Sequence, residues 1–467
     1  MGIIAAAAHA RAPRRAEIAI EYVNAPLVCL EKALWAIRRV SSEWGGVRTL
    51  RISVEAFDWD FEDSANAISS VSGAGIRQIG SALLALMPGV RELVLGEPND
   101  ERVSSTICSA VAGAFAGQLH TIRDPCRITL PGGVMLRHLE VSYWAASWGL
   151  LPHVCADTLE VLKIRGTSSG TEPWHAFGAD SNAAAIEFPR LRRLSLEWVG
   201  SSGDEPQPQE GLQRVVVQFP ALEHLCILCT ANTFPFAEQI KFPRGVAAVH
   251  ITTTGAAVAS VADMDIEATK SITLSITGSL GEDGVLATAA AGRILARAQG
   301  CSKIEVALPG SVAHALPEGL ESAALRWLCL SVPVALDAVL EQIQRLPNLD
   351  RLELGDIVLG DDQPGRYRLP APGEPALAPL ATGLWSLGVR FREEERAPEL
   401  AIRAGKHMLL RIPTLAAFTS SFVHLPTMAD FVRNYSAQYP HLAQVRLVPC
   451  VAPEHMLAMS SFFELTL

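Results

Sequence analysis

Apolar residues recur along this chain in one short pattern: an apolar residue, two variable residues, a second apolar residue, one variable residue and a third apolar residue. It reads Val47-Arg-Thr-Leu50-Arg-Ile52, Val90-Arg-Glu-Leu93-Val-Leu95, Leu136-Arg-His-Leu139-Glu-Val141, Leu159-Glu-Val-Leu162-Lys-Ile164, Leu191-Arg-Arg-Leu194-Ser-Leu196 and Leu222-Glu-His-Leu225-Cys-Ile227. It continues as Val246-Ala-Ala-Val249-His-Ile251, Leu325-Arg-Trp-Leu328-Cys-Leu330, Leu349-Asp-Arg-Leu352-Glu-Leu354, Leu384-Trp-Ser-Leu387-Gly-Val389 and Leu442-Ala-Gln-Val445-Arg-Leu447. Weaker copies stand at Cys301-Ser-Lys-Ile304-Glu-Val306 and Leu415-Ala-Ala-Phe418, and Ile272-Thr-Leu274-Ser-Ile276 reads as a strand out of strict register. The period of two in the last residues of each copy predicts a short strand with one buried face and one exposed face. One such strand cannot bury its own apolar face. The copies must therefore stack in parallel over a continuous core, with stability arising between neighbours.

A proline two residues before the first apolar position fixes the same register in Met87-Pro88-Gly-Val90, Phe188-Pro189-Arg-Leu191, Phe219-Pro220-Ala-Leu222, Leu346-Pro347-Asn-Leu349 and Tyr439-Pro440-His-Leu442. Proline lacks a donor and disfavours helix at the residue before it, so it can end a helix and release the chain toward the strand. Leu83, Leu84 and Met87, and then Leu336, Val339, Leu340, Ile343 and Leu346, have the three-to-four spacing of helices with one buried face. Each unit is expected to run strand, loop, helix and return. Stretches rich in Gly, Pro, Ser or acidic residues, Gly166–Asn182, Gly200–Gly211 and Gly360–Pro379, read as insertions.

These features predict an α/β fold: a leucine-rich-repeat solenoid, or horseshoe, with parallel strands on its concave face and helices on its convex face. Residues 1–46 are expected to form an N-terminal cap segment, and 47–467 an irregular array of about thirteen or fourteen repeats.

The phrases Phe188-Pro-Arg-Leu-Arg-Arg-Leu-Ser-Leu196, Phe219-Pro-Ala-Leu-Glu-His-Leu225 and Leu346-Pro-Asn-Leu-Asp-Arg-Leu-Glu-Leu354 resemble the repeat arrays of mushroom-type fungal F-box/leucine-rich-repeat proteins. Ala16-Glu-Ile-Ala-Ile20, a helical Leu30–Val40 and Gly46-Val-Arg-Thr-Leu-Arg-Ile52 are similar to the segment that follows the F-box in that family. The resemblance implies a substrate-recognition array of an SCF-type ubiquitin ligase, with the adaptor and cullin as partners where an F-box is supplied elsewhere. The Leu-Pro-x-Glu-like opening of the F-box has no counterpart here, so the resemblance assigns adaptor binding to no residue of this sequence.

Composition narrows the function classes. The chain has 467 residues, is 49% hydrophobic and carries a formal net charge of −10. Its cations are spread along the chain without long runs, which gives counterion-release binding to nucleic acid little to work with. We read no run of about 18 apolar residues, so no membrane-spanning helix is expected. The apolar stretch Gly2–Ala8 precedes Arg11, Arg14 and Arg15, the wrong order for a secretory signal. Gly2 invites a myristoylation reading that Ala6 weakens. Nine cysteines, an odd number, argue for a reducing, intracellular compartment, cytoplasmic or nuclear.

Motifs for chemistry are sparse. Cys226-Ile-Leu-Cys229 has redox or zinc spacing but lies within a strand copy, and no second pair accompanies it. Ser279-Leu-Gly-Glu-Asp-Gly284 lacks the lysine of a phosphate loop, and no Gly-x-Ser-x-Gly elbow is present. No catalytic residue, cofactor or metal is assigned, and a non-enzymatic protein-interaction scaffold is the expected function. Its alternative is a structural or regulatory binding protein unconnected with ubiquitin. The variable positions flanking the second apolar residue supply the candidate partner-binding surface: Glu92, His138, Glu140, Lys163, Arg193, His224, Trp327, Arg351 and Glu353. Its mixed charge, with an aromatic and arginines, suits protein recognition.

Overall fold

The computed structural model describes residues 15–22, 46–56, 73–95, 109–123, 134–143, 155–167, 185–200, 216–232, 234, 240–243, 245–264, 266–278, 284–308, 323–331, 333–358, 378–380, 382–391, 398–422, 444–449 and 464–466. The insertion segments 168–182, 201–211 and 360–377, the expected helix at Leu30–Val40 and the loop 279–283 lie outside them. The fold is α/β, built largely of parallel strands. The chain divides into two compact units, Met1–Pro243 and Arg244–Leu467.

In the first unit the strands are β1 (Arg15–Tyr22), β2 (Thr49–Ala56), β3 (Glu92–Leu95), β4 (Thr121–Arg123), β5 (His138–Tyr143), β6 (Val161–Thr167), β7 (Ala185–Glu187), β8 (Arg193–Val199), β9 (Val216–Gln218), β10 (His224–Cys229) and β11 (Ile240–Lys241). They pair in parallel in the order β1-β2-β3-β4-β5-β6-β8-β10. The short strands form a separate parallel sheet, β7-β9-β11. Helix α1 spans Gly73–Leu86.

The second unit contains β12 (Val246–Thr254), α2 (Val258–Ala262), β13 (Ala268–Thr277), α3 (Gly284–Ala296), β14 (Lys303–Ala307), β15 (Trp327–Ser331), β16 (Val334–Ala335), α4 (Leu336–Arg345), β17 (Arg351–Val358), β18 (Ser386–Phe391), α5 (Pro398–Arg411), β19 (Ala417–Phe422), β20 (Gln444–Pro449) and β21 (Glu464–Thr466). Strands β12-β13-β14-β15-β17-β18-β19-β20 are parallel neighbours, β16 extends the pairing on β17, and β21 runs antiparallel to β20.

The motif maps directly onto packing. Its second apolar positions align across the first unit as Leu50, Leu93, Ile122, Leu139, Leu162, Leu194 and Leu225, none more than 2% exposed. Burying each such side chain contributes about 1.5–3 kcal/mol relative to leaving it in water. The second unit repeats the row as Val249, Ile272, Ile304, Leu328, Leu352, Leu387 and Phe418.

Backbone hydrogen bonds hold the register whatever side chains are present. The two N–H groups that follow the first apolar position both donate to one carbonyl of the preceding repeat: Arg91 and Glu92 to Arg48, His120 and Thr121 to Arg91, Arg137 and His138 to His120. The second unit does the same where Asp350 and Arg351 donate to Arg326, and Trp385 and Ser386 to Asp350. Donors that would otherwise be stranded at the strand's start are thereby satisfied. The prolines act one step earlier. Val90 donates to Met87, Leu191 to Phe188, Leu222 to Phe219, Leu349 to Leu346 and Leu415 to Ile412, so Pro88, Pro189, Pro220, Pro347 and Pro413 are each the second residue of a hydrogen-bonded four-residue turn, where the fixed φ fits, and Pro440 lies outside the described residues.

Three features depart from the sequence expectation. The return segments before Phe188 and Phe219 are the strands β7 and β9, not helices. They are short and carry the branched residues Ile186, Val216 and Val217, which favour extended backbone. Their phenylalanines stack, Phe188 on Phe219 at 5.4 Å between ring centroids and Phe219 on Phe242 at 6.3 Å. Next, Ile272-Thr-Leu274 is in register with its neighbours, because a bulge between Val246/Ala268 and Ala248/Ser271 absorbs one extra residue. Gly245, at φ +88°, turns the chain there. Finally, Leu119-His-Thr-Ile122 is a further copy on β4. The helical spacings hold: Leu83, Met87, Leu336, Val339, Leu340, Ile343 and Leu346 are buried on α1, α4 and the turns that follow them.

Candidate functional site

Residues between the buried positions fall on the opposite, polar face of each sheet, and strand register sorts them into rows. In the first unit one row runs Glu92, Thr121, His138, Val161, Arg193 and His224. The next contains Glu140, Lys163, Ser195 and Cys226, and a third contains Arg165, Glu197 and Leu228. In the second unit Lys303, Trp327, Arg351 and Ser386 share a row, beside the row of Thr273, Glu305, Cys329, Glu353 and Gly388. Six of the nine sequence-derived candidates therefore lie on the polar face of the first unit and three on that of the second.

The first-unit rows carry a four-membered charge network. Lys163 Nζ lies 2.7 Å from Glu197 and 3.5 Å from Glu140, while Arg165 lies 2.8 Å from Glu197 and 3.2 Å from Glu140. Two cations on β6 thus bridge carboxylates on the strands to either side. The acids are sunk, with Glu140 only 9% exposed. Beside them Arg123 pairs with Glu92 at 2.9 Å, and Thr49 Oγ1 donates to Glu92 at 2.8 Å. Burial, and then the charge of Arg123, lower the His138 pKa from its ordinary value, against the opposing pull of Glu140 and Glu92.

Removing one cation leaves two largely buried carboxylates to share the other. Lys163→Met is expected to cost about 1–3 kcal/mol in unfolding free energy. Adding Glu197→Gln should recover part of that loss, so that a double-mutant cycle by urea denaturation reads a coupling between the two positions. Strict additivity would show that the network contributes nothing.

In the second unit Trp327 is stacked between cations. Lys303 Nζ sits 3.7 Å from the ring centroid and Arg351 Cζ 4.8 Å from it. Each cation also pairs along its own strand, Lys303 with Glu305 at 2.6 Å and Arg351 with Glu353. Burial pushes the Glu305 pKa up, but hydrogen bonds from Lys303 and Thr273 outweigh it and hold the group below its ordinary value. Cys329, between the two glutamates, is pushed up to about 11 by burial and by their charges. At neutral pH it is a thiol and a poor nucleophile.

Arg165, Glu197, Lys303 and Glu305 also belong to these rows, and Arg123 lies opposite Val94 beside them; none of the five is among the sequence candidates. Lys303 and Glu305 stand at the two candidate positions of the weak copy Cys301–Val306. Arg165 and Glu197 continue the alternation past the last apolar position of the motif, where strands β6 and β8 run on. The Cys226/Cys229 pair is divided by the same alternation: Cys226 faces the polar side, half-buried beside Ser195, whereas Cys229 is fully buried and donates to the Ala231 carbonyl. Burial raises the pKa of both thiols. Among the described residues no group of three His, Cys, Asp or Glu could hold a metal ion, and no helix is long and apolar enough to cross a membrane.

Comparison with known proteins finds no family model that matches this sequence and no matching curated protein.

Proposed function

We propose that this protein is a leucine-rich-repeat solenoid that acts as a non-enzymatic interaction scaffold, binding a protein partner on the polar face of its parallel strands. One observation carries the reading: strand register gathers side chains far apart in sequence into lateral rows of mixed charge with an aromatic member. Such a surface supplies the arginine and aromatic anchors on which protein recognition relies. The nine cysteines, an odd number, favour a reducing compartment. The resemblance to fungal F-box/leucine-rich-repeat proteins favours a substrate-recognition role in an SCF-type ubiquitin ligase.

Affinity purification of the tagged protein from its native cells, followed by mass spectrometry, tests both levels. Recovery of a cullin and its adaptor supports the ligase role. A reproducible partner without them refutes that role and leaves a scaffold of another pathway. The face assignment is tested by Arg193→Glu, an exposed position on β8, in the same experiment. The variant is expected to lose most of the recovered partner, and undiminished recovery would overturn the assignment.

A further inference from the structure

The second residue of each motif stands where the chain turns into its strand, so these side chains form a line along one rim of the first unit. Four successive repeats place Arg48, Arg91, His120 and Arg137 there, all exposed. Neighbouring strands lie about 4.8 Å apart, so the four groups form a single file about 15 Å long. The first carboxylate in the line comes one repeat later, at Glu160, 3.9 Å from Arg137. Further along, Arg192 faces Glu223 at 3.8 Å.

Arg48 and Arg91 are held differently from these paired arginines. Arg48 Nη1 donates to the Gly89 carbonyl at 2.9 Å, and Arg91 Nη1 donates to the Gln118 carbonyl at 3.2 Å. Each guanidinium leans on the turn of the next repeat through one N–H and, among the described residues, pairs with no carboxylate. Glu92, the face carboxylate beside the row, is occupied by Arg123 and Thr49. A fixed fork loses little entropy when it captures a carboxylate.

We infer that this rim binds an acidic segment of a protein partner. The inference rests on the scaffold reading and gives the partner its chemistry. The row is one cation wide and contains no Phe, Tyr or Trp to serve as a stacking platform for bases. A long polyanion would also meet the rest of a chain of net charge −10, whereas a short acidic peptide meets only the row.

The test is a fluorescence-anisotropy titration of the full chain, at low ionic strength, with a fluorescein-labelled oligoglutamate peptide of about six residues, enough to span the row. Arg48→Gln combined with Arg91→Gln should weaken binding about tenfold or more. Arg192→Gln, which removes a paired arginine outside the row, should change it less than about twofold. Glu160→Gln lengthens the uncompensated row and should tighten binding about threefold, a gain that no folding defect imitates. The inference is overturned if wild-type protein does not bind the peptide, or if the double variant, folded by circular dichroism, binds it equally well. Tighter, equally Arg48- and Arg91-dependent binding of an oligothymidylate overturns it in favour of a nucleic acid. If the peptide fails to bind while Arg193→Glu still abolishes partner recovery from cells, the scaffold reading stands and this inference alone falls.

Discussion

Truncating Trp198 to alanine is expected to lower the unfolding free energy by about 3–5 kcal/mol. Trp198 follows Leu194 and Leu196 on the buried side of β8 and is only 2% exposed. On the neighbouring strand its register partner is Gly166, and a methyl group built there would lie 2.1 Å from Cζ3 of the indole. The two positions form one packing unit: the indole fills the volume that the glycine leaves open. Gly166→Ala should therefore also destabilise, by about 1–3 kcal/mol through overpacking. Combining it with Trp198→Leu should cost less than the two single changes added together, because the smaller side chain makes room for the new methyl. Chemical denaturation of the four proteins completes the cycle. Additive costs would mean that β6 and β8 do not pack in this way.

Acidification from pH 6.5 to pH 4 is expected to withdraw about 1.4 kcal/mol of stability per pH unit through His407 alone. This side chain lies on α5, is 6% exposed, and has its pKa lowered to about 4 by burial and by the charge of Arg411 one turn away. In the unfolded chain the imidazole takes up its proton near pH 6.5, whereas in the folded protein it stays neutral until about pH 4. Across that window the unfolded state binds more protons, so stability falls as pH falls and levels off below the folded value. The quantity to measure is the difference between wild type and His407→Gln in urea midpoints across the window, since other groups titrate in both proteins. Wild type should show the steeper decline. Parallel curves would mean that His407 is protonated to the same extent in both states.

Much of this architecture was legible in the residue pattern, and the exceptions have particular causes. The copies with Leu, Val or Ile at all three positions became strands in the expected parallel register, because period-two burial leaves a strand little choice of face. The copy at Leu119–Ile122 is hidden in the pattern because Asp124 stands where the third apolar residue would be. Ile272-Thr-Leu274 looked out of register because a bulge, which depends on pairing with β12, takes up one residue. Before Phe188 and Phe219 the turn follows the sequence pattern and the preceding element does not: proline sets the turn locally, while short branched segments pairing with the next repeat make strand instead of helix there.

The candidate surface divides in the same way. The sequence determined which side chains face away from the core, because alternation along a strand is a local property of the backbone. It did not determine that Lys163 and Arg165 bridge Glu140 and Glu197, that Trp327 lies between Lys303 and Arg351, or that Gly166 makes room for Trp198. Those partners are 23 to 34 residues apart and meet only through strand register. Which face a residue takes follows from its neighbours in the chain, whereas what it touches on that face depends on pairing between repeats, which the tertiary structure alone decides.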